Sequence, residues 1–163
     1  MIRFMRESIR FRPRTAEDRP FLALLYASTR EDEMKLVPWT DEQKAEFLVM
    51  QFEAQTQHYD DYYAGCEFLI IEKDGERIGR LYVERFPDEI RIVDIALLPQ
   101  FRGSGIGTML LQEILDEASQ TGRGVSIYVE GYNPALHLYQ RLGFEQVDTN
   151  GVYFKMRWAP PAS

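Results

Sequence analysis

The chain has 163 residues, of which 45% are hydrophobic and 28% are charged, a composition typical of globular proteins. Its 26 acidic and 19 basic side chains give a formal charge of −7, which argues against a general nucleic-acid binder because neutralising phosphates needs surplus Lys and Arg. The single cysteine, Cys66, excludes an intrachain disulfide and a thiolate zinc cluster, and we expect no metal.

The first part of the chain predicts one strand and two helices. Alternation between Ile9 and Arg14 is typical of a strand. Thr15 can cap a helix that runs to about Thr29, with acidic residues in its first turn. A capping-box pattern, Thr-Asp-Glu-Gln, at residues 40–43 starts the second helix.

From residue 67 onward the pattern changes to strands with two further helices. Strands are predicted over 67–72, 78–86 and 90–98, with an Asp-Gly turn joining the first two. A helix over about 103–120, a strand over 125–130, a short helix over 133–142 and a hairpin over 144–148 and 152–158 follow. The sequence therefore predicts an α/β fold of the α+β type, with a mixed, mostly antiparallel central sheet flanked by helices.

Domain organisation and targeting signals give simple expectations. We predict one domain over residues 9–158, an N-terminal extension over 1–8 and a C-terminal tail over 159–163. The N-terminus is too charged for a signal peptide, and no apolar run is long enough to span a bilayer. We therefore expect a cytoplasmic protein with no membrane segment.

The most informative segment is a strand that ends in a glycine-rich turn and opens a helix, residues 94–111 (DIALLPQFRGSGIGTMLL). Gly103, Gly105 and Gly107 carry no side chains, so backbone N–H groups can approach an anion closely. The unpaired first-turn N–H groups of the helix and its dipole point to the same place. The alternative is that the glycines serve only close packing.

Two common phosphate motifs do not fit this turn. A P-loop has Lys and then Ser or Thr after its last glycine, whereas Gly107 is followed by Thr108 and Met109. A Rossmann site needs Gly-x-Gly-x-x-Gly early in a parallel βαβ unit, whereas this turn comes late, after antiparallel strands. Arg102 could add a positive charge, and Ser104 or Thr108 a hydroxyl donor.

The turn resembles the acetyl-CoA signature of the GCN5-related N-acetyltransferase (GNAT) superfamily, Gln/Arg-x-x-Gly-x-Gly/Ala. It matches in two overlapping registers, at residues 100–105 (QFRGSG) and 102–107 (RGSGIG). Residues 133–144 (NPALHLYQRLGF) are similar to a second family segment, and the resemblance covers about residues 9–158. It implies the GNAT acyl-CoA N-acyltransferase fold and an acyltransferase enzyme, an N-acetyltransferase with acetyl-CoA as co-substrate.

The resemblance implies site residues by position. The strand at 95–97 would bind the pantetheine arm through its backbone, the turn would wrap the pyrophosphate, and Asn133 would contact the cofactor arm. Tyr139 would protonate the leaving CoA thiolate. The implied cofactor-binding set is Ile95, Ala96, Leu97, Arg102, Gly103, Ser104, Gly105, Ile106, Gly107, Thr108 and Asn133. Alternatively, Asn133 is only a helix cap and Tyr139 only a core aromatic.

The general base is less well defined. Where the histone-acetyltransferase branch of the family carries a Glu, this chain has Arg91. Asp94 on the same strand and Glu84 on the neighbouring strand are the catalytic candidates besides Tyr139, although Asp94 could be a buried charge and Glu84 a surface residue. A water chain or an already neutral amine could replace both. Because the expected Glu is missing, the alternative function is an acetyl-CoA-binding sensor or interaction module without transfer activity.

The acceptor is expected to be a primary amine of a small molecule or peptide that attacks directly in a ternary complex. Peptide N-termini, lysines, polyamines, aminoglycosides and amino acids all stay open. Residues 34–39 and Tyr59, Tyr62 and Tyr63, with acidic neighbours, could bind a cationic amine beside aromatic faces. The negative net charge would favour such an acceptor. A homodimer through the C-terminal strands is one candidate assembly.

Overall fold

The computed structural model describes residues 6–161 and contains one seven-stranded sheet. The strands are β1 (Ile9–Pro13), β2 (Glu67–Lys73), β3 (Glu76–Arg85), β4 (Glu89–Leu97), β5 (Gly124–Glu130), β6 (Glu145–Asn150) and β7 (Tyr153–Trp158). They lie in the order β1-β2-β3-β4-β5-β7-β6, and every neighbouring pair is antiparallel except β4 and β5. The predicted mixed, mostly antiparallel sheet is thereby confirmed.

Within residues 9–161, five helices flank the sheet. They are α1 (Arg19–Thr29), α2 (Glu31–Lys35), α3 (Asp41–Tyr62), α4 (Ile106–Thr121) and α5 (Ala135–Arg141), with short 3₁₀ turns at Ala16–Asp18 and Pro99–Phe101. Within residues 6–161, none of the helices is long and apolar enough to cross a membrane.

Two apolar clusters lie on opposite faces of the sheet. On one face, which we call the α4 face, Ile92 of β4 and Ile127 of β5 pack with α4 and α5 in the larger cluster. On the other, the α1 face, Ile70 of β2 packs with Tyr26 of α1 and Phe52 of α3. Because side chains alternate along a strand, each strand residue can be assigned to one of these faces.

The predicted elements agree with the structure apart from details at the N-terminal side. The helix α2 was not predicted because its five residues, Glu-Asp-Glu-Met-Lys, carry no apolar stripe. Thr15 does not cap α1 directly, since a 3₁₀ turn comes first and the carboxylate of Asp18 accepts the Thr15 N–H at 2.8 Å. The predicted extension and tail lie partly outside the described residues, so they stay predictions.

β4 and β5 separate near the middle of the sheet. They pair in parallel from Glu89 with Gly124 only as far as Ile92 with Ile127. In β4 a register shift at Val93 interrupts the pairing with β3 just beyond that point, and such a bulge bends a strand. The remaining residues, 93–97 of β4 and 128–130 of β5, form the walls of what we call the β4–β5 cleft.

The outer strand β6 pairs only with β7, and all six of its residues are exposed. This is the edge at which the predicted homodimer through the C-terminal strands would form. The homodimer itself stays a prediction.

Candidate active site

The β4 wall of the cleft offers free backbone groups. Residues 95–97 pair with β3 but have no partner strand on the β5 side, so the N–H and C=O groups that point into the cleft are unpaired by the sheet. This is where we expect the backbone contacts of Ile95, Ala96 and Leu97. β3 approaches closely here, since a Cβ at Gly79 would overlap the Ala96 carbonyl oxygen.

At the end of β4 the glycine turn leads into α4. Gly103 and Gly105 have φ values of +72° and +89°, in the left-handed region that favours glycine. Gly105 is the N-cap of α4 and makes no side-chain capping bond, so the first-turn N–H groups of Ile106, Gly107 and Thr108 have no partner within the helix. The turn therefore has the geometry of an anion site at a helix N-terminus.

Two polar side chains of the turn are engaged with the protein itself. Arg102 donates from Nε to the Leu97 carbonyl at 2.9 Å and from Nη2 to the Ser28 hydroxyl at 3.2 Å. The Ser104 hydroxyl donates to the Phe101 carbonyl at 2.8 Å. These bonds hold the turn against β4 and α1, and the predicted phosphate contacts of the two side chains stay predictions.

Tyr139 of α5 belongs to the apolar cluster on the α4 face and is 5% exposed. Its ring packs against Phe144 at 5.7 Å, and its hydroxyl has no hydrogen-bond partner within the described part of the chain. Burial raises the pKa of Tyr139 above its usual value, and the charges of Asp94 and Glu130 raise it further. The phenol is therefore protonated at neutral pH and able to donate.

Asp94 lies on the β4 wall and is paired with Arg80 of β3. Arg80 is 4% exposed, donates from Nη2 to the Gln55 side chain at 3.1 Å and stacks over the ring of Tyr82 at 5.0 Å. The Asp94 side chain is 24% exposed, and its carboxylate ties two strands together rather than a strand to a loop. Removing either partner would leave an uncompensated charge.

Glu84 does not lie on the cleft. It is opposite Arg91 in the β3–β4 register, where β4 still pairs with β5. It is adjacent to Gly65 and Cys66, and burial and the Glu84 charge raise the pKa of Cys66 to about 12. Of the three catalytic candidates, Asp94 lies on the cleft wall and its charge acts on Tyr139, whereas Glu84 lies outside the cleft.

Asn133 precedes α5 and serves as its cap. Its Oδ1 accepts the N–H of Ala135 at 2.9 Å, and its Nδ2 donates to Glu130 at 3.4 Å. These bonds connect the end of β5 to the start of the helix that carries Tyr139. Its predicted contact with the cofactor arm stays a prediction.

A rim of acidic and aromatic side chains, which the sequence did not predict, lies on the α1 face. Arg30 donates to both carboxylate oxygens of Glu33 at 3.0 and 3.1 Å, and the Tyr132 hydroxyl donates to Glu33 at 3.4 Å. Tyr153 of β7 lies opposite Glu130 of β5 in the sheet register. Strict alternation along β5 was the one signal that could have placed Glu130 on this face.

The aromatic side chains predicted for the acceptor lie on and beside α3. Tyr59 packs edge-on against Tyr82 at 5.4 Å, and burial raises its pKa. Trp39 packs on Phe47 at 5.3 Å, while Tyr62 is largely exposed. Tyr59 also contacts Tyr63 at 5.7 Å, and His58 contacts Tyr62 at 5.0 Å and Tyr63 at 5.8 Å, so the three tyrosines belong to one aromatic cluster. Its role in binding the acceptor stays a prediction.

A family model described as an acetyltransferase (GNAT) domain matches residues 64–146, just over half of the chain. The chain belongs to the GNAT family. This confirms the resemblance that the glycine turn and the segment at 133–144 indicated.

Several characterised GNAT proteins are similar in sequence. An N-alpha-acetyltransferase of Sulfurisphaera tokodaii is 30% identical over 113 residues, which cover 60% of this chain and 66% of the relative. A ribosomal protein bS18 alanine N-acetyltransferase of Haemophilus influenzae is 25% identical, covering 69% of this chain and 76% of the relative. A mycothiol acetyltransferase of Corynebacterium jeikeium is 40% identical, but the chain spans only 21% of it. The predicted enzyme class, an acetyl-CoA-dependent acyltransferase, is confirmed for this GNAT chain.

Solved structures share the fold. The PaiA N-acetyltransferase of Thermoplasma acidophilum, determined in complex with coenzyme A, superposes with a TM-score of 0.69 at 20% identity and covers 93% of this chain and 99% of its own. A GNAT acetyltransferase of Elizabethkingia anophelis with acetyl-CoA bound superposes with a TM-score of 0.59 at 19% identity, covering 94% and 99%. The predicted GNAT fold is therefore confirmed.

Proposed function

We propose that this GNAT chain transfers the acetyl group of acetyl-CoA to a primary amine of a small molecule or peptide, by direct attack in a ternary complex. The observation that carries the proposal is the β4–β5 cleft, in which residues 95–97 have no partner strand on the β5 side and which ends beside the free N–H groups at the start of α4. Relatives named for N-alpha and alanine acetylation support an amine acceptor.

The cofactor would lie along the β4 wall. The backbone of residues 95–97 would bind the pantetheine arm in place of a strand partner. The N–H groups of residues 103–108 would bind the pyrophosphate, with the helix dipole adding to the attraction. Backbone donors suit this acidic chain, because they need no surplus of basic side chains.

In the transfer step, the cleft would position the amine next to the thioester. The amine nitrogen attacks the thioester carbonyl carbon, the C–N bond forms and the C–S bond breaks. Backbone N–H groups of β4 would polarise the carbonyl oxygen. Tyr139 would donate its phenolic proton to the departing sulfur, and the proton that the new amide nitrogen loses would restore the phenol.

Asp94 and Glu84, the two candidate proton acceptors, differ in their position relative to the cleft. Asp94 lies on the cleft wall, but its carboxylate is already paired with the buried guanidinium of Arg80. Its charge would instead stabilise the positive charge that develops on the attacking nitrogen. Glu84 lies outside the cleft and would take no direct part.

The proposed function is tested with a panel of amines and detection of free CoA thiol. The panel contains a peptide with a free N-terminus, a lysine derivative with a blocked α-amine, and a polyamine. We expect at least one amine to give steady CoA release above the hydrolysis rate without amine. Acetyl-CoA binding without release for every amine would contradict transfer and favour the binding-module alternative.

A further inference from the structure

Glu130 is the last residue of β5, on the wall of the cleft opposite Asp94. Ile127 and Val129 of the same strand pack into the cluster on the α4 face, so Glu130 points to the α1 face. Asp94 and Glu130 therefore face the same side of the sheet across the cleft. Tyr153, the register partner of Glu130, shares that face.

The Glu130 carboxylate is free to accept. Within residues 6–161 it forms no ion pair, and its only side-chain hydrogen bond is the long one from Asn133 Nδ2 at 3.4 Å. Asp94, by contrast, is paired with a buried arginine. A cation that enters the cleft from the α1 face therefore meets one unpaired carboxylate.

The charge of Glu130 also acts on Tyr139, whose side chain is largely buried and whose hydroxyl has no hydrogen-bond partner within the described residues. Burial is the main cause that raises the pKa of three tyrosines, Tyr132, Tyr139 and Tyr153, and the charge of Glu130 contributes to all three. The carboxylate thus lies among one buried phenol on the α4 face and two more exposed phenols at the rim.

We propose that Glu130 binds the ammonium group of the acceptor and takes its proton before the nitrogen attacks. The inference rests on the proposed acetyl transfer and names the proton acceptor of that reaction. The acceptor class is a primary ammonium that lies against the faces of Tyr132 and Tyr153, where aromatic rings favour cations.

The protons gained and lost by Glu130, Tyr139 and the reactants balance over one turnover. The ammonium gives one proton to Glu130 and becomes a neutral amine, which forms the C–N bond as the C–S bond breaks. Tyr139 protonates the sulfur and regains a proton from the amide nitrogen. Glu130 then releases its proton to water, so one ammonium and one thioester yield one amide, one thiol and one proton.

The charges around Glu130 come from several elements. Besides the three tyrosines, Arg30 and Glu33 at the α1–α2 junction act on Tyr132 and Tyr153, and Asp94 of β4 acts on Tyr139. Arg30 and Glu33 are paired with each other and so largely offset one another. The removal of the Glu130 carboxylate therefore takes away the unpaired negative charge at the rim.

The test compares Glu130→Gln with the wild-type protein, using the amine from the panel that the wild-type protein acetylates fastest. We expect kcat/KM at neutral pH to fall about a hundredfold or more, the usual effect of losing a general base. The deficit should shrink as the pH rises towards the pKa of the amine, because more of the amine is already neutral. Glu130→Asp should recover part of the activity.

Controls separate this inference from the proposed function. Glu145→Gln, on the exposed outer strand β6, should behave like the wild-type protein. Affinity for CoA, measured by calorimetry, should be the same in Glu130→Gln. Binding of butylammonium to the CoA complex should weaken at least tenfold, a readout that does not need turnover.

Three results would overturn the role of Glu130 while leaving the transfer function intact. They are unchanged activity in Glu130→Gln, a loss by the same factor at every pH, and equal butylammonium affinity in both proteins. If the wild-type protein acetylates no amine, the proposed function fails and the butylammonium titration alone decides the binding role.

Discussion

Asp18 links the first strand to the first helix through a buried carboxylate. Its side chain is fully buried and accepts two hydrogen bonds from Arg12, at 2.7 and 2.8 Å, while Arg77 lies at 3.1 Å. The bonds from Arg12 and from the Thr15 N–H lower the pKa of Asp18 from 3.8 to about 2, although burial acts in the opposite direction. The start of α1 is thereby fixed to the sheet.

The Asp18 pair predicts a pH-dependent contribution to stability. Because the folded pKa is below the unfolded one, the contribution is complete above about pH 4 and is lost as the pH falls towards 2. Asp18→Asn should lower the free energy of unfolding by about 2 kcal/mol at neutral pH, measured by urea denaturation. Asp32→Asn, at a fully exposed aspartate, is the control. If Asp18→Asn destabilised the protein as much at pH 2 as at pH 7, the lowered pKa of Asp18 would not be the cause of its contribution to stability.

The hydroxyl of Tyr139 is the proton donor of the proposed reaction. Tyr139→Phe should lower turnover about a hundredfold and change the affinity for CoA less than about threefold, because only a proton donor is lost. Stability should hardly change, since the hydroxyl has no partner within residues 6–161. Steady-state kinetics measure the turnover, and calorimetry measures the affinity for CoA. Turnover equal to the wild-type rate would remove the acid role.

At the scale of elements, the approach of β3 to β4 depends on Gly79. A Cβ at this position would overlap the Ala96 carbonyl oxygen and touch the Leu97 side chain at 2.8 Å. Because both neighbours belong to the β4 wall, the two strands must move apart to accept it. The shape of the cleft is therefore coupled to a glycine on the neighbouring strand.

Gly79→Ala should lower the free energy of unfolding by about 2 kcal/mol and weaken CoA binding at least tenfold. Denaturation and calorimetry report the two effects. Gly75→Asn is the matched control, because Gly75 has φ +83°, which Asn tolerates, and a Cβ there would meet nothing within 4 Å. Normal stability and CoA affinity in Gly79→Ala would mean that the strands adjust without cost.

Elements with local signals could be predicted from the sequence. The Asp-Gly turn has φ values of +50° at Asp74 and +83° at Gly75, as such a hairpin requires. The capping box formed as predicted, with reciprocal bonds between Thr40 and Gln43 at 3.0 and 3.1 Å. In both cases the residues that interact are near neighbours in the chain.

The parts of the site that depend on pairing between distant segments could not be predicted in the same way. The contact of Arg80 with Asp94 requires the β3–β4 register and the bulge at Val93, neither of which leaves a local pattern. The bond from Tyr132 to Glu33 joins residues 99 positions apart. The cleft was expected only from the family resemblance, because the separation of β4 and β5 leaves no local pattern in the sequence.

At the scale of the whole molecule, the charge of −7 should act on the acceptor. We expect KM for a cationic amine to rise as ionic strength increases, because salt screens the attraction over about 10 Å at 0.1 M. KM for an amine that is neutral at the assay pH should stay constant, and this is the control in initial-rate measurements. Equal salt dependence for both amines would show that net charge does not select the acceptor.

The central claim is that acetyl-CoA binds in the β4–β5 cleft with its pyrophosphate at the glycine turn. Gly105 is the residue on which this depends most, because it caps α4 at φ +89° and leaves the first-turn N–H groups accessible. A β-branched side chain there would strain the backbone and cover those groups.

Calorimetric titration of acetyl-CoA into the wild-type protein and into Gly105→Val tests this claim most directly, with circular dichroism to confirm that both are folded. We expect binding by the wild-type protein and a loss of affinity of at least tenfold in the folded variant. No binding by the wild-type protein, or equal affinity in the two, would contradict it.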